Sequence, residues 1–300
     1  MEKNDSKHFS TILSEDPEKK ITDIVYLIDS TSSMLNYIQA AKNQAENISK
    51  DLRELFPETN FQYGYIFYRD PIDSEFDIHE IINLTDDVDS LPELIGKIKA
   101  YGGGDCPEDW AGAYKKANDE IKWRNGNRVI IHIADAGAHG RRFTIYDEYF
   151  EEEDKLLKEL DECIKKKIKI FGYVIKLDCR NSFNECKKYY QSKGGIYEIF
   201  NFEKSKYLNY YNNYDYYDYN EYDDYNDYDD YDDYDDEDEY ECESDDNSDI
   251  KKKKKKTKSI KCKTVINKSN KMDYQNIVDH ELRKLVIKSI ARSYGYNINK

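Results

Sequence analysis

Two rhythms of apolar residues alternate along residues 21–203. Short, nearly continuous apolar runs read as strands buried on both faces. They are Ile21 to Asp29, Phe61 to Tyr68, Arg128 to Ala134, Lys169 to Ile175 and Ile196 to Phe200. Between them, apolar residues recur at spacings of three and four, the mark of an amphipathic helix. This spacing predicts helices over Ser33 to Leu55, Asp87 to Lys99, Trp110 to Trp123, Asp147 to Lys165 and Asn181 to Ser192. In the first, Ile38, Ala41, Ala45, Ile48, Leu52 and Leu55 form the stripe, and Pro57 stops it. Phe76 to Leu84 alternates and reads as a shorter strand. It comes too soon after its predecessor for a helical crossover, so that pair is expected to be antiparallel. The sum is an α/β fold: a doubly wound, mostly parallel, Rossmann-like sheet with one antiparallel edge strand. Roughly 180 residues of such layers bury a substantial core.

From Tyr207 the rhythm fails. Tyr219, Tyr222, Tyr225, Tyr228, Tyr231 and Tyr234 recur every third residue, separated mainly by Asp. Such dense like charge predicts disorder. A homopolymeric run, Lys251 to Lys256, comes next. Tyr274 to Tyr294, with Ile277, Leu282, Leu285, Val286, Ile287 and Ile290, predicts a helix too small to form a domain alone. The expected organisation is an arm over 1–20, a folded domain over 21–203, an acidic tract over 204–250, a Lys-rich linker over 251–272 and a helix over 273–295.

Charge sharpens that division. Residues 207–250 hold 20 acids and no Lys or Arg, whereas residues 251–300 carry a net +13. The overall −16 therefore belongs mostly to one short stretch. Six scattered cysteines without a CxxC pattern fit reduced thiols. No apolar run approaches the roughly 20 residues of a membrane span, and the first residues are polar. The expected setting is intracellular and cytoplasmic, with nuclear import through the lysine run as the alternative. The acidic tract competes for that run, which disfavours nucleic acid as a partner.

Asp29 stands at the carboxyl end of the first strand, where open α/β sheets bind their ligands. Thr31 and Ser33 come after it at alternate positions. A helix cap uses the same residue types, but three hard oxygens converging there also suit a hard divalent cation. Asp135 ends the Ile130–Ala134 run in the same way. The Gly102–Asp109 loop offers Asp105, with Glu108 or Asp109 behind it. All three loops can share one sheet edge. Clusters of His and Cys are absent, which disfavours zinc, while Mg²⁺ and Mn²⁺ preferences overlap. No Gly-Lys-Ser/Thr succeeds the triple glycine, which disfavours a P-loop. His132 reads as a core residue, and His139, in the Asp135 loop, as a structural hydrogen-bond partner. Arg69 with Asp70 reads as a brace for the site or an ordinary loop ion pair. Cys106 lacks a His–acid partner pattern and is a poor nucleophile.

Several stretches carry a resemblance. They are Leu27 to Met34, Tyr68-Arg69-Asp70, the Gly102 to Trp110 run, Trp123-Arg124 and Ile131 to Gly140. Together they resemble the von Willebrand factor A domain with its metal-ion-dependent adhesion site, and within it the A domains linked to alpha-type protein kinases of microbial eukaryotes. The resemblance implies Mg²⁺ or Mn²⁺ held by Asp29, Thr31, Ser33, Asp105 and Asp135. Glu108, Asp109, Arg69, Asp70 and His139 would support that shell. It implies recognition of a protein partner that supplies an Asp or Glu carboxylate. It does not imply an enzyme, since the residues after 203 are an acidic tract, a lysine tract and one helix. The alternatives are an accessory or divergent member of an alpha-kinase-type system, and an A-fold scaffold with a vestigial metal site. Thr31, Ser32 and Gly137 stand where relatives often have Ser, Gly and Pro. Asp105 falls near the Thr of adhesion-type domains, and an acid there would neutralise more of the metal's charge.

Overall fold

A computed structural model describes residues 21–70, 78–104, 107–147, 149–202 and 274–296. The expected arm, the acidic tract, the lysine linker, the start of the Phe76 strand, Asp105 and Cys106 lie outside the described residues.

The apolar runs form one six-stranded sheet. In chain order the strands are β1 (Ile21–Asp29), β2 (Asn60–Tyr68), β3 (His79–Thr85), β5 (Asn127–Ala134), β7 (Ile168–Val174) and β8 (Tyr197–Asn201). Their spatial order is β3-β2-β1-β5-β7-β8. Every neighbouring pair is parallel except β2 with β3, which is antiparallel at the edge. The short connection before β3 leaves no room for a crossover helix, as the spacing predicts.

Burial on both faces explains the continuous apolar runs. Along β1, Ile24, Tyr26 and Ile28 join one core layer and Val25 and Leu27 the other. The first layer is closed by α1 (Leu35–Leu55) and the short α2 (Leu91–Ile95). The second is closed by α3 (Trp110–Asp119), α4 (Phe150–Lys165) and α5 (Arg180–Ser192). Helix α6 (Tyr274–Ser293) also packs into the first layer, through Val278, Leu282, Leu285, Val286 and Ile290. Each such side chain contributes on the order of 1.5–3 kcal/mol. Polar contacts fix its register: Arg283 grips Asp51 with two bonds of 2.6 Å, and Tyr173 Oη meets Ser289 Oγ at 2.9 Å.

Three helices differ from the pattern by three residues or more, each for a local reason. Helix α2 spans five residues rather than the stretch from Asp87 to Lys99, because Pro92 opens it and Gly96 closes it. Helix α3 ends at Asp119, and Trp123 folds back to donate from Nε1 to Ala117 O at 2.8 Å. Helix α4 starts at Phe150 rather than Asp147, whose carboxylate is engaged by the loop before it.

The periodicity gave no sign of β4 (Pro107–Glu108) and β6 (Gly137–Ala138), a parallel two-residue ladder. Two residues are too few for any period to register. This ladder joins the second candidate loop to the third.

Candidate metal centre

The parallel register of β1 and β5 sets Ile28 opposite Ile133. Asp29 and Asp135 therefore leave the sheet at the same edge, side by side. Asp29 is fully buried and Asp135 is 3 % exposed.

The chain turns sharply after Asp29. Asp29 Oδ1 accepts from Thr31 N at 2.9 Å and Thr31 Oγ1 at 2.7 Å, and Thr31 Oγ1 lies 3.4 Å from Ser33 Oγ. Residues Ser32 to Met34 form a single 3₁₀ turn before α1 begins at Leu35. No side chain from this turn caps α1, so the helix-cap alternative does not account for these residues. Ser30 is held separately, donating from N and Oγ to Tyr68 O at 2.8 and 2.9 Å.

The glycine loop closes over this turn. Ser32 N reaches Gly102 O at 3.4 Å and Tyr101 N reaches Ser30 O at 3.2 Å. Gly102 and Gly103 take φ of 82° and 90°, a region open to glycine but strained for other residues. A Cβ on Gly103 would sit 3.3 Å from Thr31 Cβ. Glycine thus serves both conformation and close approach. With the β4–β6 ladder, all three loops are stitched together at one edge.

Electrostatics set the carboxyl pair apart. Among the described residues, Asp29 Oδ2 is buried without a hydrogen-bond partner, and the buried Asp135 Oδ2 faces a lysine. Burial, and then the neighbouring Asp135, push the Asp29 carboxyl up to about 7 against the opposing donors of Thr31. Lys176 Nζ lies 2.7 Å from Asp135 Oδ2, an ion pair. Buried carboxyl oxygens beside two hydroxyls form a hard-oxygen set of the kind Mg²⁺ or Mn²⁺ takes. Among the described residues no three His, Cys, Asp or Glu side chains are grouped to hold a metal.

The supporting residues divide. Glu108 is buried in β4. Asp109 caps α3 by accepting from Gly112 N at 2.6 Å, and its other oxygen is 3.1 Å from His79 Nε2. Arg69, fully buried, donates to Tyr101 Oη at 3.1 Å, Glu80 Oε1 at 3.0 Å and Lys99 O at 3.1 Å. It thereby steadies Tyr101, whose backbone holds Ser30. Asp70 and His139 form a centre of their own. His139 Nε2 is 2.7 Å from Asp70, and Nδ1 is 3.3 Å from both oxygens of Asp147. Burial alone would lower this imidazole, but Asp70 and then Asp147 outweigh it and hold it at about 9. That centre borders a cavity of about 590 Å³ whose lining includes neither Asp29 nor Asp135.

His132 is a core residue. It is fully buried, with Tyr68 Oη 2.7 Å from Nε2 and Tyr114 Oη 3.1 Å from Nδ1, and burial lowers it to about 3. Lys176 is the residue that sequence reasoning missed. It did leave a signal: it lies just past β7, the parallel neighbour of β5, at the edge where Asp135 emerges.

Residues 23–141 match the family model of the von Willebrand factor A domain. A 122-residue stretch is 30 % identical to the alpha-protein kinase vwkA of Dictyostelium discoideum, covering 40 % of this chain and 19 % of that protein. A 140-residue stretch is 25 % identical to integrin beta-1 of Gallus gallus, covering 39 % of this chain and 17 % of that protein. The chain thus spans under a fifth of the length of either relative. The mixed sheet and the loops gathered at its carboxyl edge accompany this similarity of residues 23–141 to the von Willebrand factor A domain.

Proposed function

We propose that this chain is a protein-interaction module whose A domain holds one Mg²⁺ or Mn²⁺ ion at the sheet edge. The ligands in this reading are Asp29, Thr31, Ser33, Asp105 and Asp135. One observation carries it: Asp29 and Asp135 are buried and adjacent, and among the described residues Asp29 Oδ2 has no hydrogen-bond partner. The Lys176 ammonium offsets only part of this buried acid pair; the remainder costs several kcal/mol, and a divalent cation removes that cost. Thr31 occupies Asp29 Oδ1, which leaves Oδ2 for a ligand. Ser33 is exposed and stands at the mouth.

When bound, the metal supplies Lewis-acid coordination to an Asp or Glu side chain of a partner. Leu35 and Leu177, 59 % and 64 % exposed, lie just past the first loop and the β7 exit. They suit a partner whose acidic residue lies beside apolar ones. The integrin match supports an interaction role, and the kinase match supports a place beside alpha-type kinases. Catalysis is not part of this reading. The three described cysteines, Cys163, Cys179 and Cys186, are buried, and burial raises all three thiols. Among the described residues no helix is long and apolar enough to cross a membrane.

Calorimetric titration of MgCl₂ and MnCl₂ into the full chain tests the reading. The wild type is expected to bind one ion, and Asp29→Ala to weaken it at least about a hundredfold, the loss of a charged ligand. Equal affinity in both would sink it. A second reading, an A-fold scaffold without metal, draws on Lys176 beside Asp135.

A further inference from the structure

The loop after β7 brings a lysine to the candidate metal centre. Ile175 N donates to Ala134 O at 3.1 Å, which ties the exit of β7 to the end of β5. Cys179 Sγ reaches Ala134 O at 3.2 Å and Lys176 O at 3.1 Å, closing the loop on the same point. The Lys176 backbone is therefore held beside Asp135, whatever its side chain does. That side chain is 52 % exposed, while its partner Asp135 is 3 % exposed. The ammonium reaches in from water to a buried acid.

The charges do not close. Among the described residues two adjacent carboxyls face one ammonium, which approaches Asp135 Oδ2, and Asp29 Oδ2 has no hydrogen-bond partner. A monovalent group on one side of the pair neutralises half of it, whereas a divalent ion between them neutralises both. The stem of Lys176 is free to swing back into solvent. Asp178, exposed and two residues on, also attracts the ammonium and offers it a partner there.

We propose that Lys176 is a tethered counter-ion of this site: without metal its ammonium stands in for the cation at Asp135, and a divalent ion binds by displacing it. Lys176 thereby sets the metal concentration at which the site fills. This inference rests on the metal-binding reading of the site. It goes beyond that reading by naming a residue that opposes the ion rather than holding it. It also explains how a metal-free domain tolerates its buried acid pair.

The test is calorimetric titration of MgCl₂ into the full chain as wild type, Lys176→Met and Lys176→Arg, with each variant's melting followed in EDTA. Methionine keeps the stem and removes the charge. It should tighten Mg²⁺ binding about tenfold, the effect of freeing an ion pair with one buried partner, and lower the melting temperature in EDTA. Arginine keeps the charge and should hold affinity near the wild-type value. A purely structural lysine would lower stability without raising affinity. Wild-type binding that Lys176→Met leaves unchanged or weakens overturns the inference and spares the metal reading. No binding by wild type or Lys176→Met overturns both.

Discussion

Two buried acid pairs sit at one edge of this sheet, and they are finished differently. Asp70 and Asp147 are bridged by His139, which contacts both. Asp147 also accepts from Gly140 N. Its carboxyl is held below the usual range despite burial, because Gly140 N and His139 favour the charged form. Among the described residues no group bridges Asp29 and Asp135; one lysine approaches one of them. There burial wins, and Asp29 is pushed up rather than down. Burial of acids is thus common to both centres and does not mark a site. The missing counter-charge does.

The sharpest way to break the contrast is to unfinish the finished pair. His139→Ala leaves Asp70 and Asp147 buried with their common cation gone. Removing one partner of a buried ionic network destabilises by about 3–5 kcal/mol. Urea unfolding at pH 7 should show a loss of that size. A loss below about 1 kcal/mol would mean that groups other than His139 already compensate these acids.

The same imidazole predicts a pH profile. Its folded value, about 9, lies above the ordinary 6.5. The folded state therefore holds a proton that the unfolded chain releases as pH rises past 6.5. The stabilisation is fully present below pH 6.5 and is lost as pH rises through 9, on the order of 3 kcal/mol in all. Unfolding free energies measured from pH 6 to pH 10 should fall over that window in the wild type. The decline should be flattened in His139→Gln. Equal slopes in the two proteins would place the titrating group elsewhere.

How much of this was legible in the chain depends on the range of each signal. The strands and most helices were legible because a sheet covered on both faces imposes continuous apolar runs such as Ile24 to Ile28 and Ile130 to Ile133. The convergence of Asp29, Thr31, Ser33 and Asp135 was legible because each closes a strand, or comes just after one, on a single edge. The β4–β6 ladder was not legible, being shorter than any period. The pairing of His139 with Asp70 across 69 positions, and of Lys176 with Asp135, was hidden for another reason. Contacts between loops depend on where the strands set them, and no local pattern records that. Helix α6 reads as an appendage in sequence because residues 203–273 intervene, yet its apolar face closes the first core layer.

The smallest effect tests the unfinished pair directly. Asp29→Asn removes one of the two facing charges and keeps an Oδ1 that can accept from Thr31 N and Oγ1. The new amide can donate toward Asp135, and Lys176 then has a single carboxylate to neutralise. Loss of a ligand and gain of stability should therefore coincide. In EDTA at pH 8 the variant is expected to be more stable than the wild type by about 1 kcal/mol, since a buried like-charge repulsion has been relieved. Urea midpoints read this without any metal present. The opposite sign, a loss approaching that of His139→Ala, would show that Asp29 is compensated as fully as Asp70 and Asp147. The two acid pairs would then be of one kind, both built to stay closed without an ion.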